Sequence, residues 1–164
     1  MAKLEIRDAR ETDFNTILEL NSIEVQLTSE MDLARLQHLH GLAGYHRVAG
    51  VGGQVAAFAI AIRSGAPYVN DNFSWFAGRM ENFMYVDRIV VGSNFAGLGI
   101  GSALYRDLFA HCRVAGIDTV TCEYNIEPPN VASRRFHDKF GFRELGTRHV
   151  AGGSKRVSLQ AALI

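Results

Sequence analysis

The chain has little of several features that would point directly to a function. Its 164 residues include 17 basic and 17 acidic side chains, a formal net charge of zero, so no basic surface argues for a nucleic acid or an anionic membrane as partner. The two cysteines, Cys112 and Cys122, lack metal-site or redox-motif spacing and are expected to be buried, reduced thiols. No apolar run approaches the length of a membrane span.

Two further absences bear on the cellular location of the protein and on metal binding. Residues 1–8 lack the apolar core of a signal peptide, so the sequence predicts a cytoplasmic protein. The histidines His38, His40 and His46 share no ligand spacing with acidic residues, so we expect no metal site. The length fits a single domain over residues 1–164 with a sizeable core.

The most informative stretch is 88–142, and within it the glycine-rich run 96–102. An apolar, strand-like segment ends at Gly92, and the four-residue spacing of Leu104, Leu108 and Cys112 predicts an amphipathic helix that begins near Ile100. Free backbone N–H groups at a helix start can bind phosphate, and glycines let the phosphate approach the backbone closely. The stretch therefore predicts a phosphate-binding loop, with a ligand-free glycine loop as the alternative.

Two common phosphate-binding motifs do not fit this loop. A Walker loop requires Lys followed by Ser or Thr after its last glycine, whereas Ser102 and Ala103 follow Gly101. The dinucleotide-binding pattern G-x-G-x-x-G fails in both registers, because its last glycine would fall on Ser102 or Leu104.

The loop does resemble the acyl-CoA loop of the GNAT N-acetyltransferase superfamily, Arg/Gln-x-x-Gly-x-Gly/Ala, with Ala96, Gly99 and Gly101 at the three positions. A second motif follows: 130–142, Asn-Val-Ala-Ser-Arg-Arg-Phe-His-Asp-Lys-Phe-Gly-Phe, resembles the family's Asn-x-x-Ala-x-x-Leu-Tyr-x-Lys-x-Gly-Phe helix. The resemblance is strong over 85–142 and weak before it. Ala96 and His137 depart from the pattern, which has Arg or Gln and commonly Tyr there.

The resemblance implies an acetyl-CoA-dependent N-acetyltransferase with direct transfer in a ternary complex. It assigns acetyl-CoA to the strand before the loop, the loop itself and the start of the second motif: Ile89, Val90, Val91, Ala96, Gly97, Leu98, Gly99, Ile100, Gly101, Ser102, Asn130 and Ser133. A non-catalytic acyl-CoA-binding or regulatory domain on the same fold is the alternative, favoured by the altered positions Ala96 and His137.

Periodicity along the chain predicts a mixed α/β fold, which the resemblance makes a GNAT-type fold: a twisted, largely antiparallel sheet of about seven strands with helices on both faces. Predicted strands are 4–7, 45–51, 54–62, 82–91, 119–125, 142–150 and 155–163. Predicted helices begin at Phe14 (with Val25 a candidate on its apolar face), at 28–30, at Ile100 and at Asn130. The second ends at Gly41 to Gly44, and the fourth buries Val131, Ala132, Phe136 and Phe140. A homodimer formed through a terminal strand is a further expectation.

Residues 63–81 are predicted to form a long loop rich in aromatic and amide side chains. One interpretation is a hydrophobic cluster that closes one end of the sheet. The other is a wall of the acceptor pocket, and it supplies the candidate substrate-binding residues Tyr68, Asn72, Trp75 and Phe76, together with Tyr85 on the next strand.

Two carboxylates are candidates for the base that takes the proton of the acceptor amine. Asp87 is the first, because it lies on an otherwise apolar strand beside the acyl-binding backbone, where a carboxylate needs a partner or a raised pKa. Arg88 is expected to face away from it. Glu123 is the second candidate, and a water chain without a single base is the alternative.

In the family this helix position is commonly a tyrosine that protonates the CoA sulfur, so the resemblance makes His137 a candidate acid for the departing thiolate or a contact to the cofactor. It shares a helix face with Asn130 and Ser133, and the ordinary histidine pKa of about 6.5 suits proton donation near neutral pH. An exposed histidine beside Lys139 with no role in catalysis is the alternative.

Overall fold

The computed structural model of the protein describes residues 3–23 and 28–164. The strands are β1 (Leu4–Asp8), β2 (Tyr45–Val51), β3 (Gln54–Arg63), β4 (Met84–Val91), β5 (Thr119–Glu127), β6 (Arg143–Val150) and β7 (Lys155–Leu163). The α-helices are α1 (Phe14–Ile23), α2 (Leu33–Leu42), α3 (Asp71–Ala77), α4 (Ile100–Ala115) and α5 (Val131–Asp138). Val25, a candidate for the buried face of the first helix, lies outside the described residues.

The strands form one seven-stranded sheet in the order β1-β2-β3-β4-β5-β7-β6. Every neighbouring pair is antiparallel except β4 and β5, which are parallel. Between the predicted strands 45–51 and 54–62, Gly52 and Gly53 form a hairpin turn with both φ angles positive, 60° and 81°, a conformation that favours glycine. The prediction of a largely antiparallel α/β sheet is confirmed.

Helices cover both faces of the sheet, as predicted. On one face α4 packs Leu104, Leu108 and Cys112 against small residues of β2 and β3. On the other face α1 and α2 pack Ile17 and Leu39 with the aromatic residues of α3. Strand β3 is buried on both sides from Ala56 to Ile62 because it lies between these two helical layers.

A β-bulge in β4 overturns one prediction. Ile60 of β3 pairs with Arg88 and Ala61 pairs with Val86, so Asp87 is an extra residue in the ladder. A bulge breaks the alternation of side chains along its strand. Asp87 and Arg88 are thereby brought together, with Arg88 Nε 2.8 Å from Asp87 Oδ2. The expectation that Arg88 faces away from Asp87 is wrong.

Three other local predictions need correction. The predicted loop 63–81 contains α3, which Asn70 caps by accepting a hydrogen bond from the Phe73 N–H at 3.0 Å. Helix α2 begins after its cap Asp32, not at 28–30, and Gly41 lies within it. In α5, Val131 and Ala132 are exposed, Phe136 is half-buried, and His137 is the buried residue.

Candidate functional site

The candidate site is a cleft of about 990 Å³ where β4 and β5 separate. These two strands pair only at Met84 with Val120 and at Tyr85 with Thr121. Beyond those pairs the strands diverge, and the cleft opens between them. Its lining includes Asp87, Glu123, His137 and the first turn of α4.

One edge of β4 faces this cleft without a partner strand. The Gly92 N–H donates to the Ala56 carbonyl of β3 at 2.8 Å. Because successive residues of a strand direct their amides to alternate sides, the amides of Ile89 and Val91 point away from β3 and towards the cleft. Ile89, Val90 and Val91 all line it. An extended ligand can hydrogen-bond to this edge as an additional strand does.

The glycine turn brings the start of α4 to the same cleft. Gly97 and Gly99 have φ of 79° and 74°, the left-handed region that favours glycine. Gly99 precedes the first turn of α4, whose N-terminus has no side-chain cap. Among the described residues, no side chain therefore occupies the N–H groups of Ile100, Gly101 and Ser102 at the positive end of the helix dipole, which suits a phosphate.

The other residues assigned to acetyl-CoA lie around this turn. Ala96, Gly97, Gly99, Ile100, Gly101, Ser102, Asn130 and Ser133 line the cleft, whereas Leu98 is exposed outside its lining. Asn130 caps α5 by accepting from the Ser133 N–H at 3.1 Å. Lys139 Nζ lies 3.5 Å from Ser102 Oγ and brings a cation to the turn where Ala96 has no polar side chain.

Glu123 lies on β5 with part of its carboxyl group unpartnered. Tyr85 Oη donates to Glu123 Oε1 at 2.9 Å. The buried Oε2 has no hydrogen-bond partner within 3.5 Å among the described residues, and the nearby Asn72 side chain offsets part of the rise in the pKa of this carboxyl group. Burial raises the pKa of Glu123 to about 7, and the negative charge of Asp87 adds to the increase. A carboxyl group with this pKa exchanges a proton readily at neutral pH.

Asp87, in contrast, uses both of its oxygens within the protein. Tyr68 Oη donates to Oδ1, and Arg88 Nε donates to Oδ2 at 2.8 Å. The guanidinium of Arg88 also donates to Asn21 Oδ1, the Ser29 carbonyl and Ser29 Oγ, each at 3.0 Å. Both side chains of the ion pair are almost fully buried. Asp87 therefore anchors Arg88, and Arg88 holds the end of α1 and the segment around Ser29 against β4.

The five candidate substrate-binding residues divide into two groups. Tyr68, Asn72 and Tyr85 line the cleft. Phe76 is fully buried in the hydrophobic cluster with Phe73 and Phe83, and Trp75 packs beside it under Arg79, neither of them in the cleft lining. The interpretation of 63–81 as a hydrophobic cluster thus describes Trp75 and Phe76, and the pocket-wall interpretation describes Tyr68 and Asn72.

His137 is buried, so the alternative of an exposed histidine is wrong. Its Nδ1 lies 2.7 Å from the Ser133 carbonyl, and its Nε2 lies 2.7 Å from Tyr105 Oη. A neutral ring that donates from Nδ1 and accepts at Nε2 satisfies both contacts. Burial lowers the pKa of His137, which favours this neutral form. The ring then has no free N–H for a thiolate, while Tyr105 lines the cleft.

Several cleft residues were missed by the sequence reasoning. Arg35 on α2, Asn70 before α3 and Tyr105 on α4 all line the cleft. Tyr105 directly follows Leu104, one of the apolar positions that predict α4, and Arg35 comes from the part of the chain where the family resemblance is weak. Within the described residues, no group of three or more His, Cys, Asp or Glu side chains is placed to bind a metal ion. None of the helices described is both long and apolar enough to cross a membrane.

Comparisons with known proteins bear on this site. A family model described as "Acetyltransferase (GNAT) family" matches residues 5–142. A phosphinothricin N-acetyltransferase from Streptomyces coelicolor is 41% identical over 64 residues, 39% of this chain and 36% of that protein. The match thus spans little more than a third of that relative.

Solved structures match the fold over nearly the whole chain. Ard1 from Thermoplasma volcanium superposes with a TM-score of 0.80 at 19% identity, covering 98% of this chain and 97% of that one. The putative acetyltransferase yncA from Salmonella typhimurium, solved with its cofactor acetyl-CoA, gives a TM-score of 0.74 at 20% identity, with 98% and 94% covered. At these sequence identities, the structural similarity shows that the chain has the same fold as these proteins.

Proposed function

The chain belongs to the GNAT acetyltransferase family, and on that premise we propose that it transfers an acetyl group from acetyl-CoA to a primary amine of a small molecule or protein. The reaction converts acetyl-CoA and the amine into free CoA thiol and an N-acetyl amide, with one proton leaving the nitrogen and one reaching the sulfur. The observation that carries the proposal is the cleft between β4 and β5, which the open edge of β4, the start of α4 and the unpartnered oxygen of Glu123 all share.

The residues of this cleft fit acetyl-CoA. The free N–H groups at the start of α4 suit a pyrophosphate, and Lys139 adds a positive charge there. The amides of Ile89 and Val91 can donate to, and their carbonyls accept from, an amide-containing arm that runs along β4. When bound, acetyl-CoA supplies the activated acetyl group and a thiolate leaving group.

We assign the role of general base to Glu123 in preference to Asp87. The reacting amine must lose a proton, and the base needs a free acceptor atom and a pKa near the working pH. Glu123 Oε2 meets the first requirement, and the pKa of about 7 meets the second. Asp87 is already hydrogen-bonded at both oxygens and supports the site by fixing Tyr68 and Arg88.

Direct transfer in a ternary complex is supported by the state of the cleft cysteine. A two-step reaction through a cysteine acyl-enzyme would need a reactive thiolate. Cys122 lines the cleft, but burial raises the pKa of its thiol well above the ordinary value. Initial-velocity plots that intersect are therefore expected when acetyl-CoA and the amine are both varied, and parallel lines would contradict direct transfer.

The remaining assignments follow the cleft lining. Tyr68, Asn72 and Tyr85 are proposed to contact the acceptor, and Tyr105, held by His137, is proposed to face the leaving sulfur.

The expectation of a cytoplasmic protein agrees with Cys112 and Cys122 being free and buried. If the protein forms a homodimer, we propose that an edge strand of the sheet, β1 or β6, pairs with the same strand of a second copy.

The test is release of free CoA thiol from acetyl-CoA with a panel of amines, using Glu123→Gln as the critical variant. Loss of the base should lower kcat about 100-fold or more, with the affinity for acetyl-CoA kept. Glu127→Gln is the matched control, because Glu127 lies on the same strand but in an exposed pair with Arg156. Acetyl-CoA binding without turnover of any amine would favour the non-catalytic acyl-CoA-binding domain instead.

A further inference from the structure

The acceptor end of the cleft contains a cation that has no acidic partner among the described residues. Arg35 lines the cleft together with Tyr68, Asn70 and Asp87. Within residues 3–23 and 28–164, no carboxylate lies within 4.0 Å of its guanidinium. We propose that Arg35 binds a carboxylate of the acceptor, so that the acceptor is a zwitterionic amine of the α-amino-acid class. This inference rests on the proposed acetyl transfer.

The position of Arg35 is fixed on both its main chain and its side chain. Its backbone N–H donates to Asp32 Oδ1 at 2.8 Å in the cap of α2. One guanidinium N–H donates to Tyr68 Oη at 3.0 Å, and the guanidinium carbon lies 5.5 Å from the centre of the Tyr68 ring. The other N–H groups have no partner among the described residues. A planar guanidinium with free N–H groups matches the two oxygens of a carboxylate.

The charge balance at this end of the cleft favours a zwitterion. Asp87 is neutralised by its contact with Arg88, and Glu123, with a pKa of about 7, is only partly ionised at neutral pH. Among the described residues, Arg35 therefore has no carboxylate partner inside this cleft, and the acidic side chains of Glu30 and Asp32 line a separate, neighbouring cavity with it. A polyamine or a basic peptide would bring further positive charge against it, whereas a carboxylate beside the reacting amine would neutralise it.

The spacing of the groups favours a short acceptor. Tyr68 Oη accepts a hydrogen bond from Arg35 and donates one to Asp87 Oδ1. The guanidinium of Arg35 and the carboxylate of Asp87 are thus separated by a single hydroxyl group, and Glu123 lines the same cleft. An α-amino acid, in which one carbon joins the ammonium group to the carboxylate, offers a matching short separation of charges.

The experiment compares three forms of each acceptor by thiol release: the amino acid, its C-terminal amide, and the amine without the carboxyl group. We expect kcat/KM for the acid to exceed that for the amide about 10- to 100-fold, as for a charge-assisted contact. The amide has the less basic amine, which favours it at neutral pH, so an acid preference cannot arise from amine basicity.

Variants then assign the preference to Arg35. Arg35→Gln should collapse the ratio of acid to amide, mainly by raising KM for the acid, and Arg35→Lys should restore part of it. Arg143→Gln is the control, because Arg143 is exposed on β6 outside the cleft lining and should leave the ratio unchanged. Thermal melting of each variant verifies that it folds.

The outcomes separate this inference from the function on which it rests. Acetylation of amides or simple amines with no acid preference would overturn the carboxylate assignment and leave acetyl transfer standing. An acid preference that survives in Arg35→Gln would also overturn it. Failure of every amine in the panel would overturn acetyl transfer and this inference together.

Discussion

At the scale of single residues, the site depends on two carboxylates that the fold treats differently. Both oxygens of Asp87 accept hydrogen bonds, one from Tyr68 and one from Arg88, and its negative charge balances the buried guanidinium of Arg88. Glu123 keeps one buried oxygen without a hydrogen-bond partner in the part of the chain that the structure describes. The sequence favoured Asp87 because it lies directly before the acyl-binding backbone. The hydrogen bonds that occupy it come from residues near and far along the chain, and those contacts are not visible in a sequence pattern.

The structural role of Asp87 gives a prediction about stability. Asp87→Asn should lower the free energy of unfolding by about 3–5 kcal/mol, because it leaves the buried guanidinium of Arg88 without its counter-charge. Urea unfolding followed by circular dichroism measures the loss. Asp71→Asn is the control, because Asp71 is largely exposed and its contact with Arg148 is 3.7 Å long. A stability equal to wild type, with turnover abolished, would instead return the role of base to Asp87.

At the scale of elements, the cleft comes from a mismatch between two neighbouring strands. β4 and β5 pair over two residues and then separate, while the bulge at Asp87 turns Arg88 towards the end of α1. The glycine turn then places the start of α4 beside the open edge of β4. Gly101 permits this packing, since a Cβ there would lie 3.3 Å from the Phe136 ring.

The glycine turn can be tested with a pair of matched substitutions. Gly99→Asp places a carboxylate where a phosphate is expected, so the Kd for acetyl-CoA should rise at least about tenfold by charge repulsion. Gly116→Asp is the control, because Gly116 has nearly the same φ, 76° against 74°, at the other end of α4. A Cβ meets nothing within 4 Å at either position. Calorimetric titration of both variants with acetyl-CoA measures the two Kd values. Equal affinities for the two variants would contradict a phosphate-binding role of the turn.

The sequence predicted the elements that local signals define. The hairpin at Gly52, the glycine turn, the cap at Asn130 and the strand Lys155–Leu163 all follow from turn, cap and alternation patterns. The insertion of β7 between β5 and β6 and the bulge at Asp87 depend on pairing between distant segments. Helix α3 was missed because it is only seven residues long. Its helical signals, the Asn70 cap and the three-residue spacing of Phe73 and Phe76, are too few to distinguish it from the surrounding loop.

At the scale of the whole molecule, two buried groups with opposite pKa shifts shape the pH dependence of stability. Burial lowers the pKa of His46 to about 4, and His40 adds to the decrease. Burial raises the pKa of Glu123 to about 7. Between about pH 4.5 and 6.5 the unfolded chain binds the extra proton at His46, and the folded protein binds it at Glu123. The two contributions therefore oppose each other in this window.

Replacing either His46 or Glu123 should reveal the pH dependence of stability that the other group causes. In Glu123→Gln the free energy of unfolding should rise with pH between 4.5 and 6.5, at up to about 1.4 kcal/mol per pH unit, while wild type changes less. In His46→Gln the free energy should fall over the same range. Urea denaturation at pH 4.5, 5.5 and 6.5 measures all three proteins, and parallel curves for wild type and both variants would contradict the opposed shifts.

The central claim is that the cleft between β4 and β5 binds acetyl-CoA. The most direct measurement is a calorimetric titration of the purified protein with acetyl-CoA, with free CoA titrated alongside. We expect binding in the micromolar range with a stoichiometry of one acetyl-CoA per chain. No heat of binding up to millimolar acetyl-CoA, in a protein shown to be folded, would contradict it.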